Sequence, residues 1–467
     1  MLNYKLKIGL VPERRFLPGP KRTGMFNSDY ADANKAKTIA FLKEHFADAN
    51  TEFVDLDWLN DEGLLIETKD CARVADYFKE QGVDAIFIIN CNFGNEEAAG
   101  KIAQLMNVPT LLWGPRDRII EADGTRYTDT QCGLFSISKQ LKRYNVPFSY
   151  IPNCDVEEPA FREGVDRFLS VATMVKNFRR LRVLLVGTRV KPFKCVMANE
   201  LELTERFGID VVPVNLAEAT NRLNDLVDKH PDVVAKHVET IKKSYDTTGL
   251  DEAILFKMAA FIQFYQDIQN EYMADVIATE CWTAMNQAFG ALPCLAMSIL
   301  GDMGYIVVCE SDVHGAITSA LLSCAARGTK PPFFGEFTVR HPSRDDAELL
   351  WHCGVFPASL RKEGSRRGIK IFKPDFLAKD GHYTIARFQG ERGKYYLLAG
   401  QFNTVDGPET VGTYLWAKFD NLVSLERKLV EGPYIHHMSE IEGDYFEVLK
   451  DFAKFVPELV FDTLEDA

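Results

Sequence analysis

From Lys7 to about Arg327 the chain alternates short apolar, β-rich runs with stretches of helical periodicity. That alternation constrains the fold more than any other feature, because such a rhythm implies parallel strands joined by covering helices. Strands are expected at 7–11, 52–56, 84–89 and 109–113, with helices at 30–46, 68–81 and 95–106 between and around them. A long helix over 157–180 follows. A second unit opens with Leu181-Arg182-Val183-Leu184-Leu185-Val186-Gly187 and keeps the same rhythm. After Gly328 the texture changes. Pro331-Pro332 marks a boundary, and short strands between turns (370–372, 383–388, 394–398) replace helices. This predicts an α/β protein with two Rossmann-like parallel-sheet domains, 1–175 and 176–328, followed by a β-rich, barrel-like domain, 329–467. The acidic 440–455 segment is expected to close the chain as a helix.

Acidic residues stand at the ends of two strands in the second unit. Ala274-Asp275-Val276-Ile277-Ala278-Thr279 runs into Glu280, and Gly304-Tyr305-Ile306-Val307-Val308-Cys309 runs into Glu310 and Asp312. Parallel α/β sheets bind ligands beyond the carboxyl ends of their strands, so these acids are candidates for one site. A bland alternative stands beside this: each acid caps the helix that follows, at a cost of about 1 kcal/mol if removed. If the strand runs on, Glu310 and Asp312 face the same side; if a turn begins at Ser311, one of them becomes the cap. His352, His382, His436 and His437 lie in the β-rich part, and His352 and the His436-His437 pair sit at loop edges. Imidazole and carboxylate together suit Mn²⁺, Fe²⁺, Co²⁺ or Zn²⁺. The basic loop from Glu13-Arg14-Arg15 to Lys21-Arg22 follows the first strand, either as a ligand contact or as a solvated surface loop. Phe93, Trp282, Trp351 and Trp416 are aromatics for a sugar-facing wall or for the core.

Several functions are excluded or disfavoured. A net charge of −13 over 467 residues opposes a nucleic-acid partner. No GxGxxG follows a strand, and GxxxxGK[ST] and GxSxG are absent, so no nucleotide cofactor and no serine elbow are expected. Ten cysteines without a CxxC, several inside apolar runs, fit free thiols in a cytoplasmic protein. No apolar run is long enough to span a bilayer, so no membrane partner is expected.

Four stretches taken in order, Glu280-Cys281-Trp282-Thr283-Ala284, Cys309-Glu310-Ser311-Asp312-Val313-His314-Gly315-Ala316, Leu350-Trp351-His352-Cys353-Gly354 and Pro433-Tyr434-Ile435-His436-His437, carry a family likeness. Across nearly its whole length the chain resembles the L-fucose/L-arabinose isomerase superfamily, in particular its L-fucose isomerase-like branch. The resemblance implies Mn²⁺ or another divalent cation, a monosaccharide substrate, and a homo-oligomer (trimer or hexamer) with active sites between subunits. It implies aldose–ketose isomerisation through an enediolate. By position, Glu280 and Glu310 match the acidic ligands of the arabinose enzymes, and His352 with one of His436 or His437 matches their imidazoles. The fucose enzymes instead use the aspartate two residues after the glutamate, here Asp312. Glu280, Glu310 and Asp312 are thus the catalytic candidates. Arg14, Arg15, Phe93, Trp282 and His314 are the substrate-contact candidates, Arg14 or Arg15 resembling an arginine supplied by a neighbouring subunit's first loop. The alternatives are a metal-dependent lyase or aldolase on a phosphorylated or sulfonated sugar, and a non-catalytic sugar binder.

Overall fold

Strand β1 (Leu6–Glu13) lies inside a five-stranded parallel sheet with β2 (Thr51–Val54), β3 (Ala85–Asn90), β4 (Thr110–Trp113) and β5 (Ser149–Tyr150). The computed structural model describes residues 1–15, 26–117, 120 and 122–464, so Lys21 and Arg22 of the basic loop lie outside the described residues. The strand order is β2-β1-β3-β4-β5. Every residue of β3 is buried, as expected for an interior strand covered on both faces. Its side chains divide accordingly: Phe87 and Ile89 join one apolar core, Ile86 and Ile88 the other. Strand order reverses between β1 and β3, so their carboxyl ends, at Glu13 and Asn90, flank the crevice where doubly wound sheets take ligands. This sheet belongs to one compact unit, Tyr4–Lys176 with Lys454–Val456.

The other compact unit (Met1–Asn3, Asn177–Ala453 and Pro457–Ala467) contains two sheets. The smaller is parallel, in the order β7-β6-β8-β9, from β6 (Arg182–Val186), β7 (Asp210–Val214), β8 (Val276–Thr279) and β9 (Val307–Val308). The strand expected over 304–309 is shortened to two residues. A 3-10 turn, Cys309–Ser311, ends it, with Glu310 at φ +64° and Ser311 at φ +58°. Helix Val313–Ala325 starts directly after the turn. All its residues are buried, because it packs on β8 from one side and on the β-rich sheet from the other.

That larger sheet comprises β10 (Phe333–Arg340), β11 (Ala347–His352), β12 (Gly368–Lys370), β13 (Lys373–Leu377), β14 (His382–Glu391), β15 (Lys394–Val405), β16 (Thr413–Lys418), β17 (His437–Glu442) and β18 (Leu459–Thr463). Its antiparallel run β16-β11-β10-β17-β14-β15 closes through a β15–β16 pairing, which makes a six-stranded barrel and leaves those strands without a free edge. The fold is therefore α/β with two parallel-sheet segments and a barrel-like C-terminal part. Two local expectations are corrected. Residues 370–372 are not one strand: Ile371 and Phe372 have φ of +50° and +64° and turn the chain from β12 into β13. Residues 440–455 are not one helix. Met438 to Ile441 are buried on both faces of the barrel wall in β17, and the helix begins only at Phe446–Lys454. Among the described residues no helix is long and apolar enough to cross a membrane.

Candidate metal centre

The turn that shortens β9 aims the Glu310 carboxylate at the barrel end where β11 and β17 deliver their histidines. Glu310, His352 and His437 each place one donor atom within 4.8 Å of the other two. Glu310 Oε1 accepts the Trp282 indole N–H at 3.0 Å, while its Oε2 lies 3.1 Å from His437 Nε2. A non-glycine residue at positive φ is strained, and such strain persists where the surroundings fix it. Here Trp282 and the Ser311 hydroxyl, which donates to the Thr188 carbonyl at 3.0 Å, supply part of that fixation.

His437 is oriented from behind. Its Nδ1 lies 3.0 Å from Asp312 Oδ2 and donates its proton there, which turns Nε2 toward Glu310. Asp312 is spoken for on every side. It accepts the Gly315 N–H at 2.9 Å as the helix cap, and it takes both Arg387 nitrogens at 2.6 and 3.1 Å. Gln389 accepts from the same guanidinium at 3.0 and 2.9 Å. Both members of the ion pair are fully buried. Burial alone would raise the Asp312 pKa, but the Arg387 charge and the His437 ring hold it well below the usual carboxylate range. For His437 burial works to lower the pKa, and the neighbouring Asp312 and Glu310 carboxylates override it, raising it to about 9. His352 is held differently: its Nδ1 accepts the Cys353 N–H at 2.9 Å.

A second acid adjoins this group. Glu336 on β10 stands opposite His437 across the sheet, with Oε2 3.3 Å from His436 Nε2 and 3.7 Å from His437 Nε2. Burial pushes its pKa up, but His436, His352 and His437 together bring it below the ordinary value. Phe193 stands edge-on to Trp282, His436 and His437, at centroid distances of 5.6, 6.2 and 6.1 Å, and forms an aromatic wall over the acids.

The donor set passes a direct test for a metal. Glu310 Oε2, His352 Nε2 and His437 Nε2 are buried without a hydrogen-bond partner. Buried polar atoms are almost always satisfied, and three orphaned acceptor-type atoms converging on one point fit a divalent cation.

The family model for the N-terminal domain of fucose/sulfoquinovose isomerases matches residues 20–179. A protein named sulfoquinovose isomerase from Priestia aryabhattai is 25% identical over 451 residues, covering 94% of this chain and 97% of its own. These matches support the resemblance to the L-fucose isomerase-like superfamily. Another protein of the same name, from Alkalicoccus urumqiensis, is 25% identical over 380 residues, covering 79% of this chain and 84% of its own.

The remaining candidates fall in several places. Glu280 is buried at the end of β8, where Oε2 accepts the Thr188 N–H at 3.2 Å; it is not in any of the donor groups among the described residues. His436 joins Glu336 rather than Glu310. His314 lies on the buried helix against Phe388 and Tyr395, and burial and Arg387 lower its pKa to about 4, which keeps it neutral. Arg14, Arg15 and Phe93 belong to the other unit. Arg14 is committed to Glu62 through bonds of 2.6 and 2.9 Å. Arg15 lies over the Phe93 ring, 4.1 Å from its centroid, and donates to the Gly94 carbonyl. A cavity of about 580 Å³ in that unit, beside Lys5, Lys43 and Lys176, is lined by none of the candidates. Sequence reasoning missed Glu336 and Arg387. Glu336 stood in the alternating run Phe333-Phe334-Gly335-Glu336-Phe337, a strand signal that was there to be read. Nothing local marked Arg387, whose partner is 75 residues away.

Proposed function

We propose that this sugar isomerase is a metal-dependent aldose–ketose isomerase acting on a sulfonated hexose. The carrying observation is the convergence of the orphaned Glu310, His352 and His437 atoms. These three side chains would hold one divalent ion. Such an ion, when bound, polarises a sugar carbonyl and stabilises the negative charge of an enediolate. The chain's own groups do the rest. Asp312 fixes the His437 tautomer, and Arg387 keeps Asp312 ionised. Moving the carbonyl from C1 to C2 requires taking the C2 proton and returning it to C1, with a hydroxyl proton passed from O2 to O1. Glu336, kept ionised by its histidines, is the carboxylate suited to take the carbon-bound proton. The partly exposed His436 beside it is suited to the oxygen-bound proton. Trp282 and Phe193 supply the apolar wall for the sugar ring. The sulfonated substrate is supported by relatives whose names state it, over nearly the full length of this chain. Of the two arginines, Arg15 is the one whose guanidinium is not already locked in a bidentate ion pair, and, supplied from a neighbouring subunit's first loop as the resemblance implies, it would take the anionic end of the sugar.

The test is a panel of aldoses incubated with Mn²⁺-loaded protein and followed by ketose formation: sulfoquinovose, glucose 6-phosphate, L-fucose and L-arabinose. Turnover of sulfoquinovose above the others is expected, with a raised KM in Arg15→Ala. Preference for an uncharged sugar, with Arg15→Ala unchanged, would reject the substrate assignment and leave the isomerase chemistry standing.

A further inference from the structure

The strand order of the smaller parallel sheet reverses between β6 and β8, whose last residues, Val186 and Thr279, pair with each other. Ligands of such sheets bind at that point, and the chain leaving β6 there is a basic loop. Residues 187–198 carry Arg189, Lys191 and Lys194 and no acid, in a chain of net charge −13. The loop is fastened to the metal centre at two points. At its start Gly187 turns at φ +77°, where a Cβ would lie 2.7 Å from Glu280 Oε2. The same carboxylate oxygen accepts the Thr188 N–H, and the Thr188 carbonyl accepts the Ser311 hydroxyl. Further on, Phe193 stands against His437 and against Trp282, the donor to Glu310. Arg189 lies between these two fastenings.

Lys191 and Lys194 are exposed, as solvated charges of a surface loop are, whereas Arg189 is partly buried and held. Its Nη1 donates to the Val190 and Lys191 carbonyls at 3.1 and 3.0 Å. Main-chain carbonyls orient a guanidinium without neutralising it. Among the described residues Arg189 has no carboxylate partner, and its Nε and Nη2 have no acceptor. That edge is the one with which Arg14 takes both oxygens of Glu62, and Arg344 both oxygens of Asp346. A guanidinium already oriented, with its bidentate edge unfilled, loses little freedom when it grips a pair of anionic oxygens.

We propose that Arg189 is a specificity-determining residue whose Nε–Nη2 edge binds two oxygens of the substrate's sulfonate. This rests on the sulfonated-sugar reading above, and it adds to Arg15 a contact from the chain that holds the metal centre. Glu310 and Glu336 stand at that centre, so a sugar with its own negative charge is repelled unless a cation stands near its anionic end. A sulfonate presents three oxygens, one more than a single guanidinium fork pairs with, which leaves room for both arginines.

The experiment compares Mn²⁺-loaded full-length wild type, Arg189→Gln and Arg189→Lys on sulfoquinovose and on quinovose, the same sugar without the sulfonate. The ratio of kcat/KM for sulfoquinovose to that for quinovose should fall about tenfold or more in Arg189→Gln, mainly through KM. Arg189→Lys, which keeps the charge without the fork, should recover part of it. An unchanged ratio, whether both sugars lose together or neither does, would overturn the proposal. Should the glutamine variant fold poorly, dicarbonyl labelling of wild-type arginines read by peptide mass spectrometry gives an independent answer. Sulfoquinovose should protect Arg189 and quinovose should not; equal labelling would overturn the proposal. If only uncharged sugars turn over, the substrate reading fails by itself, and methanesulfonate as an inhibitor of that turnover decides about Arg189. Inhibition that weakens in Arg189→Gln would keep the anion contact, and no inhibition, or inhibition equal in both proteins, would remove it.

Discussion

Asp312 joins three jobs that usually fall to different residues: it caps a helix, neutralises a buried arginine and sets a histidine's tautomer. Its loss therefore costs far more than a cap. Asp312→Asn strands the Arg387 charge in a fully buried place, and breaking such a pair costs about 3–5 kcal/mol. Urea unfolding is expected to show a loss of that size, largely recovered when Arg387→Met is added; a loss near 1 kcal/mol would mean that the ion pair contributes little. The His437 proton offers a second test. With a pKa of about 9, His437 holds a proton at neutral pH that an incoming metal ion must displace. Apparent Mn²⁺ affinity should then rise about tenfold per pH unit below 9 and level off above it. Calorimetric titrations at pH 6.5, 7.5 and 8.5 in matched buffers would measure the slope, and a pH-independent affinity would remove His437 from the ligand set.

At the scale of elements, β1 carries a buried acid into the crevice of its sheet. Glu13 is fully buried, and desolvation lifts its pKa to about 8 despite the Asn95 N–H and the nearby Arg15. The folded pKa lies above the unfolded one. The stability it contributes is therefore complete below about pH 4.5 and is lost as pH rises to about 8. Glu13→Gln should leave stability at pH 4.5 nearly unchanged and raise it at pH 8.5 by on the order of a few kcal/mol; denaturant curves at both values decide. How much of this was legible in the sequence follows the range of the interactions. The strands and helices of the first sheet were readable because β-rich runs such as Ala85–Asn90 and caps such as Asn95 are local signals. Glu310 was readable as a strand-end acid and His437 as a histidine at a loop edge. What was not legible is set by distant contacts: the positive φ that ends β9, the Arg387–Asp312 pair and the closure of the barrel by β15 and β16. The strand β17 was hidden by acidic residues, Glu440 and Glu442, which give a helical composition to a chain segment that the barrel pairs on both sides.

For the molecule as a whole, helix Val313–Ala325 ties the small parallel sheet to the barrel, and it is buried along its whole length. A chain cut at Thr329 would lose not only His352 and His437 but the surface that covers this helix. Such a truncation is expected to lose activity and to bind a hydrophobic dye or aggregate, as judged by fluorescence and light scattering. A folded monomeric fragment would show that the two sheets do not depend on each other. Isomerisation is proposed to depend on an ion held by Glu310, His352 and His437. An anomalous difference map recorded at the manganese edge from Mn²⁺-loaded crystals tests it directly. One peak is expected at about 2.0–2.3 Å from Glu310 Oε2 and His437 Nε2, absent in crystals of an inactive Glu310→Gln variant. A map without that peak, or with manganese held at Glu336 and His436 alone while Glu310→Gln keeps full turnover, would contradict it.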